Sequence, residues 1–500
     1  MASRLVFVAP VVLALLVVSG GSLEAAGTAN GTSADGASSL PSSANGAAAG
    51  IRGRSPGSSS PRGVFSLDRH GARGGDVLAA LPMASRLVSM ASLLARLFGG
   101  GPANGATAGI RARPLGSGVF SLDRYGARGD GRHDDTPALA RAWRAACASP
   151  RPAVVLVPGG GKRYLLKLVT LHGPCRSSVT VTVKGTLVAS PNRADWSDRD
   201  RRHWIVLRGV HKLTVNGGGA VDGNGDKWWP HSCKIHKALP CKEAPTALSF
   251  HFCKNLRVED LKIVNSQQIH MSVEDCTNVQ LARLSITAPG NSPNTDGIHI
   301  TRSRDVSVTN CKIKTGDDCI SIEDGTHNLH VSKVVCGPGH GISIGSLGDD
   351  NSRAEVSRIT IDTVQLYGTT NGARIKTYQG GSGFAKDITF QNMIMYNVKN
   401  PIIIDQNYCD KAKPCKQQQS AVAVSNVVFK NIRGTTNTKD AIKLNCSKNV
   451  PCGGITLQNI DLKMQGGKGT TESTCRNAKW RKSGTVHPQP CTAKQSVYSM

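Results

Sequence analysis

Aromatic side chains are scarce in this chain, at 4% of its 500 residues, whereas glycine is abundant at 55. That balance describes a soluble, turn-rich chain whose apolar positions fall to small and β-branched residues. Acidic residues are also few. The 34 Asp and Glu stand against 61 Lys and Arg, for a net charge of +27 and a pI near 9.8, so the fitting partner is a polyanion. No segment after the N-terminus is apolar for long enough to span a bilayer, which argues against stable membrane association. The closely spaced CxxC pairs of zinc sites are missing as well.

The N-terminus reads as an address. Arg4 is followed by an apolar run from Leu5 to Val18 and by small residues at Ala25 and Ala26, the pattern of a signal peptide over residues 1–26. Secretion argues against nucleic acid as the polyanion. It also turns the 15 cysteines into disulfide candidates. Short-loop pairs are Cys233/Cys241, Cys319/Cys336, Cys409/Cys415, Cys446/Cys452 and Cys475/Cys491. The count is odd, so at least one thiol is left over; Cys253 and Cys276 fit strand-turn core positions.

Residues 27–117 form a low-complexity leader rich in Gly, Ala, Ser and Arg, and disorder is expected there. It is partly duplicated: "MASRLV" stands at 1–6 and 83–88, and "GVFSLDRHGARG" at 63–74 returns as "GVFSLDRYGARG" at 118–129. Only the second copy continues into an ordered body, expected over 118–495. There "DDTPALARAWRAAC" reads as a short helix with Asp135 or Thr136 as N-cap and Pro137 in its first turn. Asp134 and Asp135 are therefore read as capping residues rather than catalytic ones.

From about residue 205 to 465 an apolar anchor recurs at Leu256, Val279, Val306, Leu329, Ile359, Ile388, Val427 and Ile455, mostly at steps of 22 to 30 residues. A tighter set, "DGIHI" at 296–300, "DCISI" at 318–322 and "HGISI" at 340–344, repeats every 22 residues. Short strands and turns at such a period make a solenoid. A leucine-rich repeat lacks its leucine pattern here. The expected fold is all-β: a single-stranded, right-handed parallel β-helix with a short N-terminal capping helix. Asn255, Asn278 and Asn328 at equivalent turns either form a side-chain ladder or are merely tolerated at surface turns.

This register stacks Asp296, Asp318 and His340 on three adjacent coils, with Asp317 beside them. Strand neighbours point to opposite faces, so a bend at Gly316 is needed for both aspartates to face one groove. A lone aspartate pair would read as a solvated turn; three carboxylates and a histidine in register suggest a site. Arg374 and Lys376, two apart on one strand, share a face and suit an anionic substrate. The implied chemistry is glycoside hydrolysis, in which one carboxyl group donates a proton and another stays ionised. Mutual repulsion between crowded carboxylates drives their pKa values apart.

"NTDGIHI" (294–300), "TGDDCISI" (315–322), "CGPGHGISIGSLG" (336–348), "RIKTYQGGSGFA" (374–385) and "PIIIDQNYCD" (401–410) together resemble the signature segments of the plant polygalacturonases of glycoside hydrolase family 28. The resemblance runs from about 118 to 495; the duplicated leader has no counterpart in it. It implies inverting hydrolysis of α-1,4-linked galacturonan, the acidic pectin backbone, without metal or cofactor. Asp317 is then the general acid, with Asp296 and Asp318 activating water at the roughly 6.5–9.5 Å separation of inverting enzymes. His340 tunes the acid, Arg374 and Lys376 bind uronate carboxylates, Tyr408 shapes the adjoining subsite, and Asn294 orients the loop or a sugar. The resemblance also supports Cys319–Cys336, Cys409–Cys415 and Cys446–Cys452 as bridges. Endo and exo action both stay open, as do rhamnogalacturonan or xylogalacturonan as substrate. A calcium-dependent pectate lyase and a wall protein that binds pectin without cutting it are the further rivals. Asn30 and Asn445 lie in glycosylation sequons. A secreted cell-wall enzyme, monomeric in solution, is expected.

Overall fold

The computed structural model describes residues 118–491 apart from 197–199 and 412. The expected signal peptide, the leader with Asn30, and residues 492–495 lie outside the described residues. The chain winds into coils of parallel strands, a right-handed β-helix. All eight anchors read from the sequence pair in one continuous column from Leu256 to Ile455. Each coil buries its anchor beneath the next. At about 1.5–3 kcal/mol for a fully buried Val, Leu or Ile side chain, the column is a main source of cohesion.

One face of the solenoid is an eleven-stranded parallel sheet. Its strands are β1 (Val169–His172), β2 (His203–Arg208), β3 (Thr246–His251), β4 (Met271–Glu274), β5 (Ile298–Thr301), β6 (Ile320–Ile322), β7 (Ile342–Leu347), β8 (Asn371–Tyr378), β9 (Asn400–Tyr408), β10 (Asp440–Asn445) and β11 (Glu472–Arg476). The two-residue side-chain period sends Met271, Ile298, Ile320, Ile342, Ala373 and Ile402 into the core. The intervening column, Ser272, His299, Ser321, Ser343 and Arg374, faces outward. That polar outer ladder is the floor of the site.

Helix α1 (Thr136–Cys147) packs Leu139, Ala142, Trp143 and Ala146 onto the core. Asp135 takes the N-cap position, with Pro in the first turn, but its side chain makes no capping bond to the helix. Its carboxylate instead accepts the backbone N–H groups of Arg128 and Gly129 at 2.7 and 3.0 Å, and Asp134 accepts that of Thr136. Both aspartates are structural, as expected, although by a different bond.

All five cysteine pairs read from the sequence form disulfides: Cys233–Cys241, Cys319–Cys336, Cys409–Cys415, Cys446–Cys452 and Cys475–Cys491. Cys319–Cys336 and Cys475–Cys491 span 17 and 16 residues, and their sulfurs lie inside the hydrophobic core. The second carries the whole final strand (Ala478–His487) between its partners. Cys491 is thus a buried core residue that fastens the end of the body to β11, not part of a surface loop and not a residue of the groove described below. It is also the last described residue, four short of the boundary expected at 495. A sixth bridge, Cys147–Cys175, ties the end of α1 to the following coils. Cys253, Cys276 and Cys311 are buried free thiols, consistent with at least one left over and with core positions for the first two.

The asparagine ladder is real in pairs. Asn278 donates to Asn255, and Asn328 to Asp305, each at 2.6 Å. Asn445 is half-buried within β10 and donates to Asp405 at 2.9 Å, which leaves its sequon poorly placed for a glycan. Among the described residues, no helix is long and apolar enough to cross a membrane.

Candidate active site

The groove residues enter from the edge at which the strands of this sheet begin. Asn294 and Asp296 precede β5, Asp317 and Asp318 precede β6, and His340 precedes β7, while Arg374 and Lys376 lie on β8 and Tyr408 ends β9. The 22-residue register holds: the N–H of Gly297 donates to Asp318 O at 2.8 Å and that of Cys319 to Gly341 O at 2.9 Å. Residues 315–319 are a turn rather than strand, so the strict alternation of faces does not apply to the aspartate pair. Gly316 is needed there for closeness. A Cβ at this position would stand 1.9 Å from the carbonyl oxygen of Ser292, and its φ is not left-handed.

The two aspartates part company at once. Asp317 Oδ1 meets His340 Nδ1 at 2.8 Å and accepts the backbone N–H of Asp318, also at 2.8 Å. Its Oδ2 accepts Asn294 Nδ2 at 3.1 Å. Asp318 is sunk beneath the surface, its side chain 1% exposed. Its Oδ1 accepts Arg374 Nη2 at 2.6 Å and Ser343 Oγ at 2.8 Å, and its Oδ2 accepts Lys376 Nζ at 3.0 Å. Arg374 Nε donates to the same Ser343 at 2.8 Å, closing a ring of bonds.

Seven of the eight residues expected at the site line one cavity of about 430 Å³, and Asp318 lies under its floor. The sequence did not single out Ser343, although it occupies the outward position of "HGISI". Arg374 and Lys376 share a face as expected, but they are not free clamps. Each is engaged with Asp318, and Lys376 Nζ also lies 5.4 Å from the ring centre of Tyr408. Arg374 has five N–H donors and Lys376 three. Two of the former and one of the latter are used within the described residues, so the remainder can serve an incoming carboxylate.

Burial pushes the Asp296 carboxyl well above the usual carboxylate range, and the nearby charges of Asp317 and Asp318 add to it. Burial would also raise Asp317, but the His340 hydrogen bond and the charges of His340 and Lys376 outweigh it and bring Asp317 down to about 2. In the empty groove Asp296 is thus the carboxyl that holds a proton more readily, and Asp317 the one that is ionised. Burial lowers Lys376, but Asp318 more than compensates, so the lysine stays charged. Burial raises Tyr408 to about 12, leaving it a neutral hydroxyl.

Donor atoms of Asp317, Asp318 and His340 lie within 4.8 Å of one another, close enough to meet at one cation. Both oxygens of Asp318 are already held by Arg374 and Lys376, however. A donor set so neutralised fits a metal ion poorly.

The profile of the glycosyl hydrolases family 28 matches residues 147–487. A polygalacturonase-2 of Solanum lycopersicum is 51% identical over 375 residues, covering 75% of this chain and 81% of its own. A polygalacturonase of Persea americana is 54% identical over 358 residues, covering 72% and 76%. Among solved structures, the endo-xylogalacturonan hydrolase of Aspergillus tubingensis superposes with a TM-score of 0.62 at 26% identity, over 74% of this chain and 99% of that one.

Proposed function

This chain belongs to the glycosyl hydrolases of family 28, and on that premise we propose that it hydrolyses the α-1,4 bonds of de-esterified homogalacturonan. It is a pectin-degrading glycoside hydrolase of an inverting family. The observation that carries the substrate reading is the arrangement around Asp318: two cations keep unused donors beside the carboxylate they pair with and a histidine-paired one. A neutral sugar has no use for that surplus of positive charge, whereas a uronate does. Relatives at about half identity bear polygalacturonase names, which favours galacturonan over the xylogalacturonan of the more distant structural neighbour.

Asp317 is the general acid, fed by His340. In the empty groove the acid is ionised. A bound uronate adds negative charge and excludes water, and both raise a carboxyl pKa. The proton shared on the 2.8 Å axis between His340 and Asp317 then moves to the carboxylate, which gives it to the leaving glycosidic oxygen. Neutralising Asp317 removes one of the charges that, second to burial, hold the Asp296 pKa up, and so favours the ionised form of Asp296. Asp296 and the ion-paired Asp318 then orient and deprotonate water from the opposite face, with Asn294 fixing the acid's second oxygen. Secretion to the cell wall accords with the six disulfides.

The test is Asp317→Asn. General acid catalysis contributes about 10²- to 10⁴-fold, so kcat on polygalacturonate is expected to fall by that range while oligogalacturonate binding is retained. A kcat at the wild-type level would show that the acid lies elsewhere. Sizing the early products separates endo from exo action.

A further inference from the structure

Lys234 Nζ meets both carboxylate oxygens of Asp410, at 2.8 and 2.7 Å. The two residues are 176 positions apart and come from opposite edges of the site-bearing sheet. In a parallel sheet every strand starts on one edge and ends on the other. Lys234 lies in the segment 223–245 that leads into β3, on the starting edge; Asp410 directly follows β9, on the finishing edge. From β3 to β9 is six rungs, and β5 to β8 with the groove residues lie between them. The ion pair therefore crosses the catalytic groove.

It also stands in a wall. Lys234, Pro293, Asn294 and Asp410 line both the cavity of about 430 Å³ and a neighbouring one of about 320 Å³. That second cavity holds Arg193, Trp229 and Lys242, cations and a ring face of the kind that suits another uronate unit. A chain running from one cavity to the other must pass this pair. Both loops are closed independently of it. Cys233–Cys241 staples one and Cys409–Cys415 the other, and Lys411 ties the second loop to Asp349 at 2.7 Å. Opening the pair thus leaves each loop standing. Its side chains are 39% and 50% exposed, and an exposed pair adds little net stability, so one carboxylate is readily exchanged for another.

Resting on the galacturonan reading above, we propose that Lys234 is a substrate-binding residue. A uronate carboxylate takes the place of Asp410 on it, and the Lys234–Asp410 pair is a latch that admits a polyuronate across the groove. Asp410 occupies the cation in the empty enzyme and competes with the substrate for it.

The two halves of the latch then have opposite effects. In the non-cutting Asp317→Asn background, the Kd of a galacturonate hexamer is measured by titration calorimetry. Asp410→Asn frees the lysine and is expected to tighten binding by about two- to fivefold, whereas Lys234→Met is expected to weaken it by a similar factor. Lys234→Arg keeps the charge and stays within about twofold of the parent. A merely structural ion pair would respond alike to loss of either partner, so shifts not opposite in sign overturn the exchange. Because the readout is binding, opposite shifts in a protein that proves unable to cut galacturonan would remove the hydrolase mechanism and leave the latch.

Discussion

Asp296 and Asp317 are the same residue type in the same groove, and their surroundings push them in opposite directions. Asp296 pays for burial beside two carboxylates, whereas Asp317 is held ionised by His340 and Lys376. Linkage turns this into a stability statement. A carboxyl whose folded pKa is raised contributes fully below its unfolded pKa of about 3.9 and loses that contribution as pH rises. Asp296 is therefore a liability at pH 7 that vanishes near pH 4 or below. Asp296→Asn is expected to melt above the wild type at pH 7, with the gap closing by pH 4, while losing most activity. An equal gap at both values would mean that the effect is packing and not ionisation. Which residues meet was legible from the 22-residue spacing; which of them holds the proton was not. That depends on His340 reaching back to Asp317 instead of stacking on Asp318, and on Arg374 and Lys376 turning inward to Asp318.

The coil turns its corners with left-handed residues, and the sequence supplies a suitable one on each rung. Asn255, Asn278, Asp305 and Asn328 have φ of 55°, 54°, 57° and 57°. Asn and Asp tolerate that region because their short polar side chains bond locally, whereas an ordinary residue costs about 1–2 kcal/mol. These asparagines are thus more than tolerated, since they serve the corner and also pair between rungs. Asn278→Ala is expected to lower unfolding stability by about 1–2 kcal/mol in denaturant titrations, with Asn278→Gly recovering much of it. Equal losses in both would place the whole effect in the 2.6 Å ladder bond. Periodicity exposed these corners, and the anchor column with them, because stacking is a nearest-neighbour relation along the chain. It could not expose Cys147–Cys175, which joins a helix end to a loop 28 residues on, or Lys234–Asp410 at a separation of 176. Such contacts are set by how loops fold over the stack, and no repeat encodes them.

At the scale of the molecule, charge is spread well beyond the groove. Residues 1–130 carry 12 Lys and Arg against six Asp and Glu, which leaves 49 against 28 in the remainder, a surplus of 21 positive charges. A field of this kind attracts a polyanion before any specific contact forms. Its reach is about 10 Å at 0.1 M salt and about 3 Å at 1 M, whereas the buried Asp318–Lys376 and Asp318–Arg374 pairs are screened far less. Added salt should therefore act on capture and spare chemistry. Raising NaCl from 0.05 to 0.5 M is expected to increase KM for polygalacturonate by about threefold or more, with kcat nearly constant. Heavily methyl-esterified pectin lacks most of the charge and should bind weakly, with a KM that salt hardly moves. If kcat fell with salt while KM held, the surplus charge would belong to the transition state rather than to capture, and the ion pairs around Asp318 would be more exposed to solvent than their burial implies.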